Sequence, residues 1–312
     1  MNWLLVGVGD IAVKRVIPAI EAEPRSDLYG AVSRNQEKGR RYAARVWTDL
    51  AAALEDESID AVYIATPVFL HAPQTIAALK AGKHVLCEKP MAMNYTEAAR
   101  MNEAAQRTGK ILGIAYFRRM YPKVRRAREI IESGGIGRPV LAEVKCAEWR
   151  EENDDRPWLF DPKQAGGGPL FDIGSHRIDA LNYVFGQPKK VSAMLYPAPE
   201  GSSVERNATV LIEYANGARG IVDARWDSHI ERDEFRITGT EGELDLTPLS
   251  GPELRFGSVV EHAPCHSNRH YPCVENFVAA VLDGAPLAAS GASSMWTDWV
   301  TERAVETAVA NR

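Results

Sequence analysis

Asn2-Trp3-Leu4-Leu5-Val6-Gly7-Val8-Gly9-Asp10-Ile11-Ala12 opens the chain, and its reading decides the fold of the first half. Trp3 to Val6 are apolar without a break, the pattern of a strand buried on both faces. Two glycines follow at alternate positions, and a helix-like stretch runs from Ile11 to Glu23. Strand, tight turn and helix in this order are what a dinucleotide phosphate site requires. Gly7 lets the backbone turn off the strand, and Gly9 lets a pyrophosphate approach the main chain. Ala12 is small enough for the helix to pack close to the strand. The residues entering that helix, Asp10 and Ile11, place free N–H groups and a positive dipole end toward the phosphates. Small residues also close ordinary βα turns, so the motif takes its meaning from its place between strand and helix.

Working outward, the first ~120 residues alternate strand and helix, the grammar of a parallel sheet with crossover helices. The strands are Leu28–Val32, Ala61–Ala65, His84–Cys87 and Ile111–Ala115. Gly82 and Gly109 read as helix stops, and Asn94 with Glu97 as a capping box. Lys123 to Ser133 reads as a basic helix carrying Arg125, Arg126 and Arg128, a solvated face or a set of carboxylate pairs. After Gly137 the pattern changes. Val140–Trp149 alternates as a strand, and a polar loop over 151–163 holds Trp158. Gly166-Gly167-Gly168-Pro169 then leads into a helix from Asp172 to Phe185. Asn216-Gly217 and Glu241-Gly242 sit between strand-like runs as hairpin turns, which predicts an antiparallel sheet. Two helices, Val274–Leu282 and Trp296–Val309, close the chain. The expected domains are 1–120 and 121–312, with the closing helices free to pack back on the first.

The chain of 312 residues is long enough for two domains, and 45% apolar against 25% charged composition gives each a core. A formal net charge of −5 gives no reason to expect nucleic acid or an anionic membrane as partner. No apolar run approaches the ~20 residues of a membrane helix. A strand beginning at residue 2 or 3 leaves no room for a leader, and Cys87, Cys146, Cys265 and Cys273 fit a reduced compartment. A cytoplasmic location is therefore expected.

The end of the second strand selects the cofactor. An acidic residue there holds the ribose 2′-hydroxyl of NAD, whereas neutral and basic groups accept the 2′-phosphate of NADP. The sequence reads Ser33-Arg34, with Lys38 nearby and no carboxylate before Glu37, so NADP(H) is preferred and NAD(H) remains possible. Arg34 could also stack on the adenine in either case. Glu88-Lys89-Pro90 ends the fourth strand at the carboxyl edge of the sheet, where open α/β sheets bind ligands. Lys89 there can stabilise a developing alkoxide, or it is a surface lysine beside a turn proline. Asp172 and His176 are four apart, on one helix face, and a histidine is a natural proton carrier for an alcohol–ketone interconversion. The alternative is that Asp172 caps the helix and His176 packs.

Taken together, these segments resemble the glucose–fructose oxidoreductase and inositol dehydrogenase (Gfo/Idh/MocA) family of sugar oxidoreductases. The resemblance rests on Gly7 to Ala12, on Ala65-Thr66-Pro67 with His71, and on Ala81 through Pro90. It continues in Tyr116 to Pro122 around Arg119, Gly134 to Pro139, and Gly166 through Asp172 and His176 to Asp179. It implies a Rossmann domain with a doubly wound parallel sheet, joined to an α+β domain whose largely antiparallel, open-faced sheet often mediates oligomerisation. It further implies that Lys89 contacts the substrate hydroxyl and the nicotinamide side, Asp172 orients the substrate, and His176 is the general acid or base. The Lys89–Pro90 bond would be cis, aiming the lysine toward the cleft. Many members carry asparagine after the Thr-Pro, and Val68 stands here instead. The expected activity is hydride transfer between nicotinamide C4 and a carbinol or carbonyl carbon of a sugar, cyclitol or related polyol, by a homodimer or homotetramer. A non-catalytic NADP-binding sensor on the same fold is the rival reading. Cofactor contacts are expected from Gly7, Gly9, Asp10, Ile11, Ala12, Ser33, Arg34, Lys38, Thr66, Pro67, His71, Glu88 and Lys89. Substrate contacts are expected from Lys89, Tyr116, Arg119, Trp158, Asp172, His176 and His270. His262, Cys265, His266, His270 and Cys273 lie close in sequence but match no zinc spacing, so no metal is expected.

Overall fold

A computed structural model describes residues 1–151, 156–197 and 203–310. The chain divides into two compact units: Met1–Phe117 with His266–Met295, and Arg118–Cys265 with Trp296–Arg312. The closing helices thus separate. Tyr271–Asp283 lies in the first unit, and most of Gly291–Ala310 in the second.

The first unit holds a six-stranded sheet made of β1 (Asn2–Val6), β2 (Asp27–Val32), β3 (Arg45–Trp47), β4 (Ala61–Ile64), β5 (His84–Cys87) and β6 (Leu112–Ile114). Its order is β3-β2-β1-β4-β5-β6, and every pairing is parallel. β1 and β4 are buried along both faces apart from Asn2, because helices cover the sheet on each side. The order reverses at β1, so the turn after β1 lies at the switch point where such sheets bind ligands. β3 escaped the sequence reading, because three residues beginning with an arginine carry no strand period. The helix expected over 11–23 is present but opens into a wide π turn over Ala12–Val16 before Ile17–Ala22. Pro18 has no N–H to donate to the carbonyl one turn back, which accounts for the widening. At Asn94 the capping box is displaced: the Asn94 side chain accepts from Glu97 N, but the Glu97 carboxylate accepts from Met93 N.

The second unit holds an eight-stranded sheet: β7 (Pro139–Trp149), β8 (Pro188–Tyr196), β9 (Asn207–Tyr214), β10 (Arg219–Arg225), β11 (Asp227–Gly239), β12 (Glu243–Asp245), β13 (Glu253–Phe256) and β14 (Val259–His262). The order is β14-β13-β12-β11-β7-β10-β9-β8. It is antiparallel except at its centre, where β7 and β10 run parallel. The two anticipated turns join β9 to β10 and β11 to β12, with Gly217 at φ +85°. The helix Ser175–Phe185, buried at all but one position, packs on β7 and β10. The other face alternates outward, and on β8 and β9 it exposes Met194, Tyr196 and Leu211. Within the helix Pro122–Glu132, Arg126 and Arg128 pair with carboxylates, as the charge pattern suggested. Lys123 does not share that face. It is buried, and its ammonium donates to the carbonyls of Leu246, Pro248 and Glu253 at 2.7, 2.6 and 3.3 Å. Among the described residues no helix is long and apolar enough to cross a membrane.

Candidate active site

In the first unit the ends of β1, β2, β4 and β5 bring the predicted cofactor residues to one edge of the sheet. Gly7 has φ +94°, and a Cβ there would lie 2.8 Å from the Ala65 carbonyl oxygen, so only glycine makes the turn. At Gly9 a Cβ would meet nothing within 4 Å, which leaves the main chain open to a large group. Ala12 is fully buried against the sheet, while Asp10 pairs with Lys14 at the surface and Ile11 is exposed. This turn fits a pyrophosphate: open backbone amides at a helix start, with no side chain in the way.

Past β2, Ser33 donates its hydroxyl to the Asn35 carbonyl at 2.8 Å, and Asn35 caps the helix Gln36–Arg40. Arg34 and Lys38 are exposed. Glu37 pairs with Arg41 at 3.3 Å. Thr66 donates to the Gln74 side chain at 2.7 Å, and Pro67 precedes the short helix Val68–Leu70, where Val68 is buried.

His71 is buried, with Nδ1 facing the Pro90 carbonyl at 2.9 Å and Nε2 facing the Thr66 carbonyl at 2.8 Å. It ties the loop after β4 to the loop after β5. Burial holds its pKa below the usual imidazole range, although both carbonyls favour the charged ring. With both nitrogens on backbone, His71 shapes the rim rather than presenting a ring to a ligand.

Glu88 and Lys89 end β5, and the Lys89–Pro90 bond is cis. Glu88 is buried and accepts at Oε1 from the Tyr63 hydroxyl at 2.8 Å; His270 Nε2 lies 3.1 Å from the same oxygen. Burial by itself would push the Glu88 carboxyl up. His270, the Tyr63 hydrogen bond and Lys89 outweigh it and hold the group below the usual carboxylate range. Lys89 is half-buried. Tyr116, expected at the substrate, is fully buried in the apolar core of this unit. His270 is buried against Glu88 and Phe117, so it braces the strand end. Tyr63 escaped the sequence reading because it looks like one more apolar residue of β4.

In the second unit Asp172 lies in a π turn, Leu170–Gly174, closed by Gly174 N–H donating to the Pro169 carbonyl at 2.7 Å. His176 follows in the first turn of the next helix and is buried. The Arg150 guanidinium comes within 3.5 Å of Asp172 and lies over the Trp226 ring. Trp158 packs with Ile173 on the cluster of Leu159, Val204 and Trp226, next to the Asp172 turn. Arg150 escaped notice at the end of an alternating strand. Arg119 is buried with Asp179, donating from Nε at 2.8 Å and Nη2 at 2.5 Å. That bidentate pair fits a structural tie rather than contact with a small molecule.

Among the described residues no three His, Cys, Asp or Glu side chains are grouped to hold a metal. Of the histidine–cysteine run, His266 stacks on Tyr271, His270 faces Glu88, and Cys273 is buried.

Residues 1–116 match the family model for an oxidoreductase family with an NAD-binding Rossmann fold, and residues 124–245 match the Gfo/Idh/MocA C-terminal domain. The chain is 30% identical over 310 residues to 1,5-anhydro-D-fructose reductase of Ensifer adhaerens, covering 95% of this chain and 92% of that one. It is 30% identical over 298 residues to D-xylose 1-dehydrogenase (NADP(+)) 2 of Haloferax volcanii, covering 91% and 90%. The solved structure of levoglucosan dehydrogenase in complex with NADH and levoglucosan superposes with a TM-score of 0.89 at 26% identity, over 100% of this chain and 98% of that one.

Proposed function

The chain belongs to the Gfo/Idh/MocA family of NAD(P)-dependent oxidoreductases, and on that premise we propose that it interconverts a carbinol and a carbonyl on a sugar, cyclitol or related polyol, with NADP(H) as the preferred cofactor. One observation carries this reading: the turn after β1 and the ends of β2, β4 and β5 line one edge of the sheet, with Gly9 open and Lys89 at the far end. The phosphates fit the Gly7–Ala12 turn. Ser33, Arg34 and Lys38 supply a hydroxyl and two exposed cations for a 2′-phosphate.

When bound, the nicotinamide supplies or accepts the hydride at C4. The chain's own groups manage the proton and the charge. Lys89 stabilises the substrate oxygen as charge develops on it. His176 takes or gives the hydroxyl proton, and Asp172 orients the substrate. Trp158 offers an apolar wall to a sugar ring. The Arg150 guanidinium lies beside the Asp172 carboxyl group, whose oxygens can accept hydrogen bonds from substrate hydroxyls. The sensor reading has no observation in its favour, since the relatives named above are reductases and dehydrogenases.

A panel of sugars and polyols assayed by the absorbance of the reduced nicotinamide, with each cofactor in turn, tests the proposal. Turnover of at least one such substrate supports it. Cofactor binding with no turnover across the panel contradicts it.

A further inference from the structure

Glu205 lies just before β9 and is buried. Its two carboxyl oxygens reach different backbone amides of the glycine-rich turn. Gly168 N–H donates to Oε2 at 2.9 Å, and Leu170 N–H donates to Oε1 at 3.0 Å. Both amides stand at the entry of the helical segment, where N–H groups have no partner inside the helix. The segment's dipole also favours an acceptor there. Gly168 passes the tie onward, because its carbonyl accepts from Asp172 N at 3.0 Å and from Phe171 N at 3.1 Å. A short bonded path therefore runs from the Glu205 carboxyl through one residue, Gly168, to Asp172, and His176 follows one turn later.

The glycine run explains how the carboxyl gets so close. A Cβ on Gly168 would sit 2.0 Å from the Glu205 carbonyl oxygen. A Cβ on Gly167 would sit 2.2 Å from the Phe171 ring and 3.1 Å from Oε2 of Glu205. These glycines are a contact surface for Glu205, and larger residues would hold the turn off the carboxyl. The sequence showed the glycines but gave no hint of what they touch.

We propose that Glu205 is a positioning residue for the redox reaction: its carboxyl clamps Gly168 and Leu170 and so fixes the backbone from which Asp172 and His176 are presented. This rests on the reading of Asp172 and His176 as the substrate-facing pair. The clamp needs an acceptor on each of two oxygens. Glutamine keeps one acceptor and turns a donor toward the other amide. Leucine removes both.

The test uses the full chain with Glu205→Gln and Glu205→Leu, measuring kcat, KM and reduced-cofactor affinity, with amide hydrogen exchange across 166–176. A displaced turn should lower kcat by about 10²-fold in Glu205→Leu. In Glu205→Gln the loss should be about tenfold, a partial rescue by the retained acceptor. Cofactor affinity should stay at the wild-type value in both, and exchange at Gly168 and Leu170 should quicken. Should the leucine variant fail to fold, the isosteric glutamine variant decides the matter by exchange and kcat together. Wild-type kcat, or unchanged exchange at those two amides, overturns the inference. A fall in kcat matched by an equal fall in cofactor affinity overturns it as well. His176→Ala is measured beside them: turnover kept there but lost in the Glu205 variants would refute the site reading and still support Glu205 as the clamp of this turn.

Discussion

The Tyr63 hydroxyl donates to Oε1 of Glu88 at 2.8 Å, beneath the strand end that carries Lys89. With His270 on the same oxygen, Glu88 accepts from two elements besides its own. Glu88→Ala leaves both partners buried without an acceptor, and the loss of stability should be about 2–5 kcal/mol by denaturant unfolding. The sign of the pH dependence follows from the depressed pKa. The folded protein holds the proton less tightly than the unfolded chain. The Glu88 contribution is therefore present above the unfolded value and is lost as pH falls through the folded one. Wild type should lose more stability in acid than Glu88→Gln does.

Glu205 has the opposite sign. Burial pushes its carboxyl up to about 7, against the opposing pull of the Gly168 and Leu170 amides. Its folded pKa exceeds the unfolded value of 4.5, so its stabilising contribution is present below about 4.5 and is lost as pH rises through about 7. That contribution is on the order of 3 kcal/mol at most. Thermal unfolding of wild type and Glu205→Gln between these limits should show wild type losing ground as pH rises. Parallel curves would contradict it.

Cofactor choice rests on Ser33, Arg34 and Lys38. Arg34→Ala should weaken NADP(H) binding by about 1–3 kcal/mol and NAD(H) binding by much less, if the guanidinium bonds the 2′-phosphate. Fluorescence titration with both cofactors reads this directly. Equal or tighter NAD(H) binding by the wild type would remove the preference.

Met194 and Tyr196 on β8 and Leu211 on β9 are exposed on the outward face. Leu211 stands opposite Ser192 and Met194 opposite Thr209, so that Leu211 and Met194 lie diagonally across the two strands. An apolar patch of this kind calls for a cover. The chain should assemble at least as a dimer through this face, and Met194→Glu with Leu211→Glu should shift it toward monomer in light scattering. A wild-type monomer at micromolar concentration would refute this.

Much of this was legible because local rules carried it. The apolar strand with Gly7 and Gly9 announced the parallel sheet, and Asn216-Gly217 announced a hairpin. What stayed hidden depends on partners far along the chain. Lys123 looks like one more charge on a basic helix, yet three carbonyls from 246–253 take it inward. Arg119 reads as a substrate contact, yet in the fold its guanidinium is taken by Asp179. The parallel pairing of β7 with β10 is a matter of sheet order, which strand periodicity does not encode. Arg150, Tyr63 and Glu205 are ordinary in sequence and acquire their roles only through what they touch.

The central claim is that His176 carries the proton. The most direct measurement is the turnover of His176→Ala with the true substrate, taken together with its cofactor affinity. Turnover should fall by roughly 10²–10⁴-fold, the usual worth of a general acid or base. Cofactor affinity should be nearly unchanged, since the proposed phosphate and ribose contacts belong to Gly9, Ser33 and Arg34. A variant that keeps most of its turnover would show that the proton travels by another group and that His176 only packs its helix.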